Sequence, residues 1–382
     1  MKRIAILGST GSIGVNALDV ISKIGGGFSV VALSGDSNSE LLIRQARAWK
    51  PKIVSIGNEL LAGKVNRAVP KGTKVVCGGI GLREIATRSD VDMVLFAVSG
   101  TACLIPLLDA VKNRKEIALA NKEALVSAGP VVTALARKND VRIIPIDSEH
   151  SAIFQCIYGR PEYVSKIYLT GSGGPLLNVS AKRFDKLPVG FILKHPRWKM
   201  GRKITVDSAT MMNKGLEIIE AKYLFGIDEK KIEVLIHPEA VVHSMVEFSD
   251  ASVIAQLAVP DMRLPIEYAL TFPGRSKAIV RKVDFSKAGA LTFRKPDVKK
   301  FPCLRLAREA AASGGTALAV LCAADEGAVK HFLERRIKFS DIPGVIEKVM
   351  SRHKNARKEI SVEDVLNADS WAKEETDILC YR

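Results

Sequence analysis

Two carboxylates set two residues apart, Asp147 and Glu149, follow the apolar run Ile143-Ile144-Pro145-Ile146. Side chains at i and i+2 of an extended backbone point the same way. That spacing brings two negative charges into one small volume, where they repel unless a proton or a cation comes between them. An all-oxygen ligand set favours Mg²⁺ or Mn²⁺ over zinc. A second reading of the same residues stays open: a helix beginning here, with Asp147 or Ser148 as its cap and Glu149 in its first turn.

The run Val206-Asp207-Ser208-Ala209-Thr210-Met211-Met212-Asn213-Lys214-Gly215-Leu216-Glu217 carries polar groups inside a helix-compatible stretch. Ser208, Asn213 and Lys214 supply a hydroxyl, an amide and an ammonium, the groups that hold a phosphate. Glu217 lies one turn past Asn213 on a similar helix face and offers a third carboxylate. Thr170-Gly171-Ser172-Gly173-Gly174-Pro175 is a second phosphate cradle or a plain turn. His195-Pro196-Arg197-Trp198-Lys199-Met200-Gly201 mixes basic, aromatic and sulfur groups between proline and glycine, which suits a mobile lid; simple packing of Trp198 is the alternative. His237 and His243 are catalytic candidates or satisfied structural histidines.

Near the start, Gly8-Ser9-Thr10-Gly11-Ser12-Ile13-Gly14 falls between the strand-like Ile4-Leu7 and a helical pattern. In that order, glycines let backbone N–H groups approach a pyrophosphate at a helix N-terminus. The second strand ends at Leu33-Ser34-Gly35-Asp36-Ser37-Asn38. Taken bare, Asp36 points to a ribose diol, and so to NAD rather than NADP, unless it is a turn residue facing solvent. Asn121-Lys122-Glu123 follows another strand, placed either to line a cofactor crevice or to start a helix with Asn121 as cap.

These groups need elements to carry them. Short apolar strands (Ile4-Leu7, Ser29-Leu33, Ile53-Ile56, Met93-Ala97, Ile117-Ala120, Arg142-Pro145) alternate with helical patterns over the first ~150 residues, predicting a parallel sheet with crossover helices. From about Ser148 to Pro273, strands at Ile167-Thr170, Val234-Ile236 and Val253-Leu257 mix with helices. Residues 275–300 read as an irregular, Lys- and Arg-rich linker, and the chain beyond is helical, as at Leu304-Ala312 and Glu326-Leu333.

The 382 residues, 47% hydrophobic and 26% charged, are enough for two or three domains with large cores. The net charge of +16 is dispersed. Its densest cluster, Arg352-His353-Lys354 with Arg357-Lys358, has no interleaved aromatics, so a nucleic-acid partner is not expected. The six cysteines form no CxxC, which indicates neither zinc nor a disulfide framework and fits a reducing cytoplasm. Met1 leads straight into a strand, so no targeting peptide is expected. The longest uncharged run, 16 residues between Asp92 and Asp109, is too short and broken to span a bilayer. A semialdehyde-dehydrogenase-type reading would need an activated cysteine, Cys156 being nearest the polar motifs, and leaves the carboxylate and phosphate blocks unexplained.

Taken in order, the motifs resemble the 1-deoxy-D-xylulose 5-phosphate reductoisomerase family. The resemblance is carried by GSTGSIG at Gly8-Gly14, ALANKEALV at Ala118-Val126, PIDSEHSAIFQ at Pro145-Gln155, LTGSGGP at Leu169-Pro175, HPRWKMGRKITVDSATMMNKGLE at His195-Glu217, HPEAVVHSM at His237-Met245 and PDMRLPIEYAL at Pro260-Leu270. It covers nearly the whole chain.

The resemblance implies rearrangement and reduction of 1-deoxy-D-xylulose 5-phosphate to 2-C-methyl-D-erythritol 4-phosphate, in the non-mevalonate route to isoprenoids. It implies that Thr10, Gly11, Ser12, Ile13, Asn38, Asn121, Glu123 and Gly201 bind NADPH. Asp147, Glu149 and Glu217 hold Mg²⁺, Mn²⁺ or Co²⁺. Lys122, Ser148, Glu149, Ser172, His195, Trp198, Ser208, Asn213, Lys214 and Glu217 contact the sugar phosphate, with Ser172, Ser208, Asn213 and Lys214 on its phosphate. Lys122, Asp147, Glu149, His195 and Glu217 form the catalytic set. It implies a cytoplasmic homodimer of α/β subunits: a Rossmann-type doubly wound sheet (1–147), an α+β connective catalytic domain (148–274), a linker (275–300) and a C-terminal helical domain (301–382). Two departures stand out. Asp36-Ser37 occupies a place where relatives often carry Lys or Arg, and Ala240 one where they often carry Ser.

Overall fold

The computed structural model of the protein describes all residues except 199, 357, 358 and 382. Lys199 of the His195–Gly201 stretch and Arg357-Lys358 of the basic cluster therefore lie outside the described residues. By packing, the chain divides into two compact units.

The first unit comprises residues 1–124, 132–151 and 261–281. Its sheet has seven strands, β1 (Lys2–Leu7), β2 (Phe28–Gly35), β3 (Ile53–Ile56), β4 (Lys74–Cys77), β5 (Met93–Phe96), β6 (Glu116–Leu119) and β7 (Ile143–Pro145), in the order β4-β3-β2-β1-β5-β6-β7. Every pairing is parallel. The central strands are mostly apolar because both faces are covered; Ile4, Ile6, Leu33, Ile53, Met93 and Leu95 are all fully buried. Six of the seven strands are those expected. β4 gave no signal because it is a short edge strand, only partly buried, whose Lys74 is exposed. The order reverses between β1 and β5, the switch point where doubly wound sheets bind ligands.

The second unit comprises residues 125–131, 152–260 and 282–382. Its sheet runs β11 (Val253–Leu257), β10 (Val242–Phe248), β8 (Val164–Gly171), β9 (Ile232–Ile236), with β8 and β9 parallel and the other pairs antiparallel. β10 went unread because His243 and Ser244 are both buried, which erases the alternation of a half-exposed strand. The helices Cys303–Ser313, Ala317–Leu333, Asp341–Arg352 and Val362–Cys380 complete this unit. The helix Met212–Phe225 lies so close to Cys303–Ser313 that a Cβ on Gly215 would stand 2.4 Å from the Cβ of Ala307. The expected linker is irregular apart from one helical turn, Phe285–Ala288, and a bridge between Arg294 and Ile236. Among the described residues, no helix is long and apolar enough to cross a membrane.

The glycines of the first loop are fixed by contact as much as by conformation. Gly8 has φ +87, and a Cβ there would meet the Ala97 carbonyl oxygen at 2.5 Å. A Cβ on Gly14 would meet the Gly8 carbonyl oxygen and Ser9 Cα at 2.4 Å each. Because these neighbours are backbone, Gly14→Ala should destabilise the first unit by about 1–3 kcal/mol, the usual cost of overpacking. Hydrogen exchange of the β1 and Ser12–Ile24 amides should accelerate accordingly; unchanged protection would mean that the loop relaxes freely.

Candidate active site

In the first unit, the loop after β1 is tied down by buried polar groups distant in sequence. Ser9 Oγ donates to Gln45 Oε1 at 2.7 Å, Gln45 Nε2 returns a bond to the Ser9 carbonyl at 2.8 Å, and the Gly8 N–H donates to Ser34 Oγ at 2.9 Å. None of the three side chains was singled out in the sequence, since a buried polar partner 36 residues away leaves no local pattern. Thr10, Gly11, Ser12 and Ile13 remain accessible at the N-terminus of helix Ser12–Ile24, which no side chain caps. Glycines with no room for a Cβ, beneath an uncapped helix start, fit a dinucleotide pyrophosphate. Asn38 caps the helix Ser39–Trp49, accepting from the Leu41 N–H at 3.1 Å.

Asn121 caps the helix Lys122–Lys138 through Oδ1. Its Nδ2 donates to the carbonyls of Val98 (2.6 Å) and Gly100 (2.9 Å) and reaches Glu123 Oε2 at 3.3 Å. It therefore shapes the loop after β5.

Of the two readings of Asp147 and Glu149, the helical one holds and the extended one does not. A helix, Ser148–Ile157, begins directly after Asp147, so Glu149 stands in its first turn. The two carboxylates still meet, with an oxygen of each within 4.8 Å of the other, because the first helical turn brings its side chain back beside the preceding residue. Lys122 Nζ donates to Asp147 Oδ2, and His150 Nδ1 lies 3.6 Å from the same oxygen. Burial pushes the Asp147 carboxyl up, but the Lys122 ammonium and the His150 ring more than offset this and hold it well below the ordinary carboxylate range. Ser148 Oγ donates to Glu149 Oε2 at 2.5 Å. Two carboxylates this close offer oxygen ligands that fit a hard divalent cation, with the His150 ring beside them.

In the second unit, the run Val206–Glu217 is not one helix. The helices Arg202–Thr210 and Met212–Phe225 meet at Met211, which takes a left-handed conformation (φ 64, ψ 8). Beyond the break Glu217 is fully buried, and Asn213 Nδ2 and Lys214 Nζ each donate to one of its oxygens at 2.5 Å. Lys214 Nζ also donates to the Thr170 carbonyl at 2.6 Å. Among the described residues, Asn213 Oδ1 is buried without a hydrogen-bond partner. Gly173 and Gly174 both have positive φ, and Gly174 packs on Ser208, where a Cβ would lie 2.6 Å from the carbonyl oxygen. The glycine loop after β8 thus backs onto the end of the helix carrying Ser208. Lys203 reaches Asp207 (2.7 Å) and the fully buried Asp325 (2.8 Å), which ties that helix to Ala317–Leu333.

His195 Nδ1 accepts from the N–H groups of Arg197 (3.2 Å) and Trp198 (2.9 Å), so its proton sits on Nε2, 3.1 Å from Ser172 Oγ. Ser172 Oγ thereby accepts from His195 and, at 3.3 Å, from the Gly174 N–H, and its own hydroxyl proton points elsewhere. Arg197 Nε donates to the Pro238 carbonyl at 2.8 Å, and the Trp198 ring lies 6.2 Å from that of His243. Gly201 is exposed at the start of the helix Arg202–Thr210.

His237 is structural: fully buried, with Nε2 accepting from Val241 and Val242, Nδ1 facing the Thr292 carbonyl at 2.9 Å, and its ring stacked on Phe293. Burial pushes the Cys156 thiol up to about 11, which makes it a poor nucleophile near neutrality. Ala240 has positive φ in the turn after His237.

Three family models match the chain in succession: 1-deoxy-D-xylulose 5-phosphate reductoisomerase over residues 4–129, its C-terminal domain over 143–225, and the DXP reductoisomerase C-terminal domain over 257–375. The chain is 49% identical to the 1-deoxy-D-xylulose 5-phosphate reductoisomerase of Chloroherpeton thalassium, covering 98% of this chain and 97% of that one. It is 48% identical to that of Thermoanaerobacter pseudethanolicus, over 98% of each. Among solved structures, a DOX-P reductoisomerase in complex with NADPH, fosmidomycin and magnesium aligns with a TM-score of 0.93 at 38% identity, over 100% of this chain and 98% of that one. The Zymomonas mobilis reductoisomerase in complex with NADPH aligns at 0.92 and 38%, over 99% of each. The chain belongs to the 1-deoxy-D-xylulose 5-phosphate reductoisomerase family.

Proposed function

We propose that this protein converts 1-deoxy-D-xylulose 5-phosphate into 2-C-methyl-D-erythritol 4-phosphate in the non-mevalonate pathway of isoprenoid biosynthesis, with NADPH as reductant and a divalent cation. The observation that carries the reading is the cluster after the Met211 break, where Asn213 and Lys214 grip the buried Glu217 while one end of the Asn213 amide is left without a partner. A buried, unsatisfied amide oxygen costs about 1–3 kcal/mol and is retained where a hydroxyl of a ligand completes it.

Asp147, Glu149 and Glu217 are the proposed metal ligands. When bound, the cation supplies Lewis-acid stabilisation of the oxyanions that form as carbon–carbon bonds rearrange. The reduced nicotinamide supplies the hydride that reduces the rearranged aldehyde. Ser172, with its hydroxyl proton turned outward by His195 and Gly174, donates to the substrate phosphate together with Ser208, Lys214 and the N–H of the Asn213 amide that Glu217 does not hold. Phosphate contacts far from the reacting carbons orient them. Lys122 keeps Asp147 ionised and places a proton-bearing ammonium beside the substrate oxygens; Ser148 and Glu149 contact the same end. The 195–200 stretch, anchored through Arg197, covers the substrate with Trp198 and excludes water. Thr10–Ile13, Asn38, Asn121, Glu123 and Gly201 form the cofactor side, Asn121 by holding the loop after β5.

The proposed functional division is 1–147 for cofactor, 148–274 for chemistry, 275–300 as linker and 301–382 as a helical support. A homodimer in the cytoplasm is the proposed working form. The support for the dimer is edge strand β11, whose Val253 and Ile254 are exposed on a strand with one unpaired side.

Full-length protein with Mn²⁺, NADPH and 1-deoxy-D-xylulose 5-phosphate should bleach the reduced-nicotinamide absorbance, and chelation should stop it; no substrate-dependent bleaching sinks the reading. Glu217→Gln should lower kcat by at least ~100-fold, on the scale of lost metal-site groups, with the far-ultraviolet circular dichroism retained. Full activity would remove Glu217 from the metal site. Light scattering after size exclusion should give twice the chain mass, and Val253→Lys with Ile254→Lys should shift it toward the monomer.

A further inference from the structure

We propose that the protein binds NADH as well as NADPH, and that Asp36 sets the balance between them; the inference rests on the cofactor reading above. In a doubly wound sheet, the residue just past the carboxyl end of the second strand faces the adenosine ribose, where a carboxylate accepts from the free 2′-hydroxyl and a cation meets a 2′-phosphate. β2 ends at Gly35, and Gly35 abuts the glycine loop itself: a Cβ there would stand 2.9 Å from Thr10 Cγ2. Asp36 is therefore one residue from the pyrophosphate cradle, and it is exposed.

Its side chain is placed by its surroundings. The Asn58 N–H donates to the Asp36 carbonyl at 3.0 Å and the Gly57 N–H to the Gly35 carbonyl at 2.8 Å. Asp36 Oδ1 lies where a Cβ on Gly57 would come within 2.3 Å of it, so the glycine leaves room for the carboxylate. Among the described residues Asp36 makes no ion pair. The run Asp36-Ser37-Asn38-Ser39-Glu40 contains two carboxylates and no cation. The nearby Lys64 is directed to Glu40 at 3.5 Å, and Arg47 Nε to the Ala68 carbonyl at 3.0 Å. A 2′-phosphate at this position meets the Asp36 carboxylate, whereas a ribose diol meets an acceptor.

The test is equilibrium titration of NADPH and NADH fluorescence with the full chain, in competition with adenosine 2′,5′-bisphosphate or AMP, for wild type, Asp36→Asn and Asp36→Lys. Wild type should bind the two cofactors within about 10-fold of each other, and Asp36→Lys should raise the NADPH-to-NADH affinity ratio by roughly 5- to 20-fold, the range for a solvent-screened charge reversal. The isosteric Asp36→Asn should fall between. The gain should shrink near ~1 M salt, where screening acts within about 3 Å. A wild-type preference for NADPH above ~100-fold, well beyond what an exposed charge can offset, overturns the proposal. So does a ratio that neither variant moves, or binding of neither cofactor. If the ratio responds but no sugar phosphate is turned over with either cofactor, this inference stands and the proposed reaction falls.

Discussion

A carboxylate shut away from water has to be answered by donors, and Glu217 imposes that demand on the whole second unit. Leaving such a charge unpaired costs about 3–5 kcal/mol, so the geometry around it is closely constrained. Lys214 and Asn213 answer it, three and four residues back, which works only if all three share one helix starting no later than Met212. The left-handed Met211 lets that helix depart from the one before it. The same break leaves Ser208 against the glycine loop after β8 instead of continuing it around the helix. Gly215 then allows the helix to settle against Ala307, and the C-terminal helices become the wall behind the phosphate-type residues.

The first unit meets the opposite problem with other means. Its glycine loop must stay open to a ligand, so its stability comes from behind, through Ser9, Ser34 and Gln45, all buried and all bonded away from the accessible face. Asn121 does the same for the loop after β5: each polar atom of its amide is bonded within the protein, and the neighbouring backbone is what a ligand would find.

What the sequence disclosed follows from how local each signal is. The parallel strands were legible because burial on both faces writes continuous apolar runs, and the glycine loop because strand, glycines and helix arrive in order. β4 and β10 were not, one too short and exposed, the other carrying buried polar residues. Asp147 and Glu149 were paired for the wrong geometric reason: the helix that begins at Ser148, not an extended chain, brings them together. The break at Met211 had no mark because neither glycine nor proline stands at it and methionine itself favours helix. The role of His237 was open in the sequence and is decided by its bonds to Val241, Val242 and the Thr292 carbonyl.

The stretch 275–300 has little regular structure, yet it is not slack over its whole length. Arg294 and Ile236 exchange backbone hydrogen bonds at 3.0 and 2.7 Å, the Thr292 hydroxyl donates to Glu239 at 2.8 Å, and the Thr292 carbonyl faces His237. Phe293, between them, lies flat on the His237 ring. The segment is thus a strap whose far end is buckled to the turn after β9, the same turn whose Pro238 carbonyl holds Arg197. Tolerance to change should divide along it. Insertions or proteolytic nicks around Lys282–Gly289, where the backbone is exposed, leave the buckle fastened. Changes at 292–294 unfasten it, and would be felt at Arg197, which the same turn anchors.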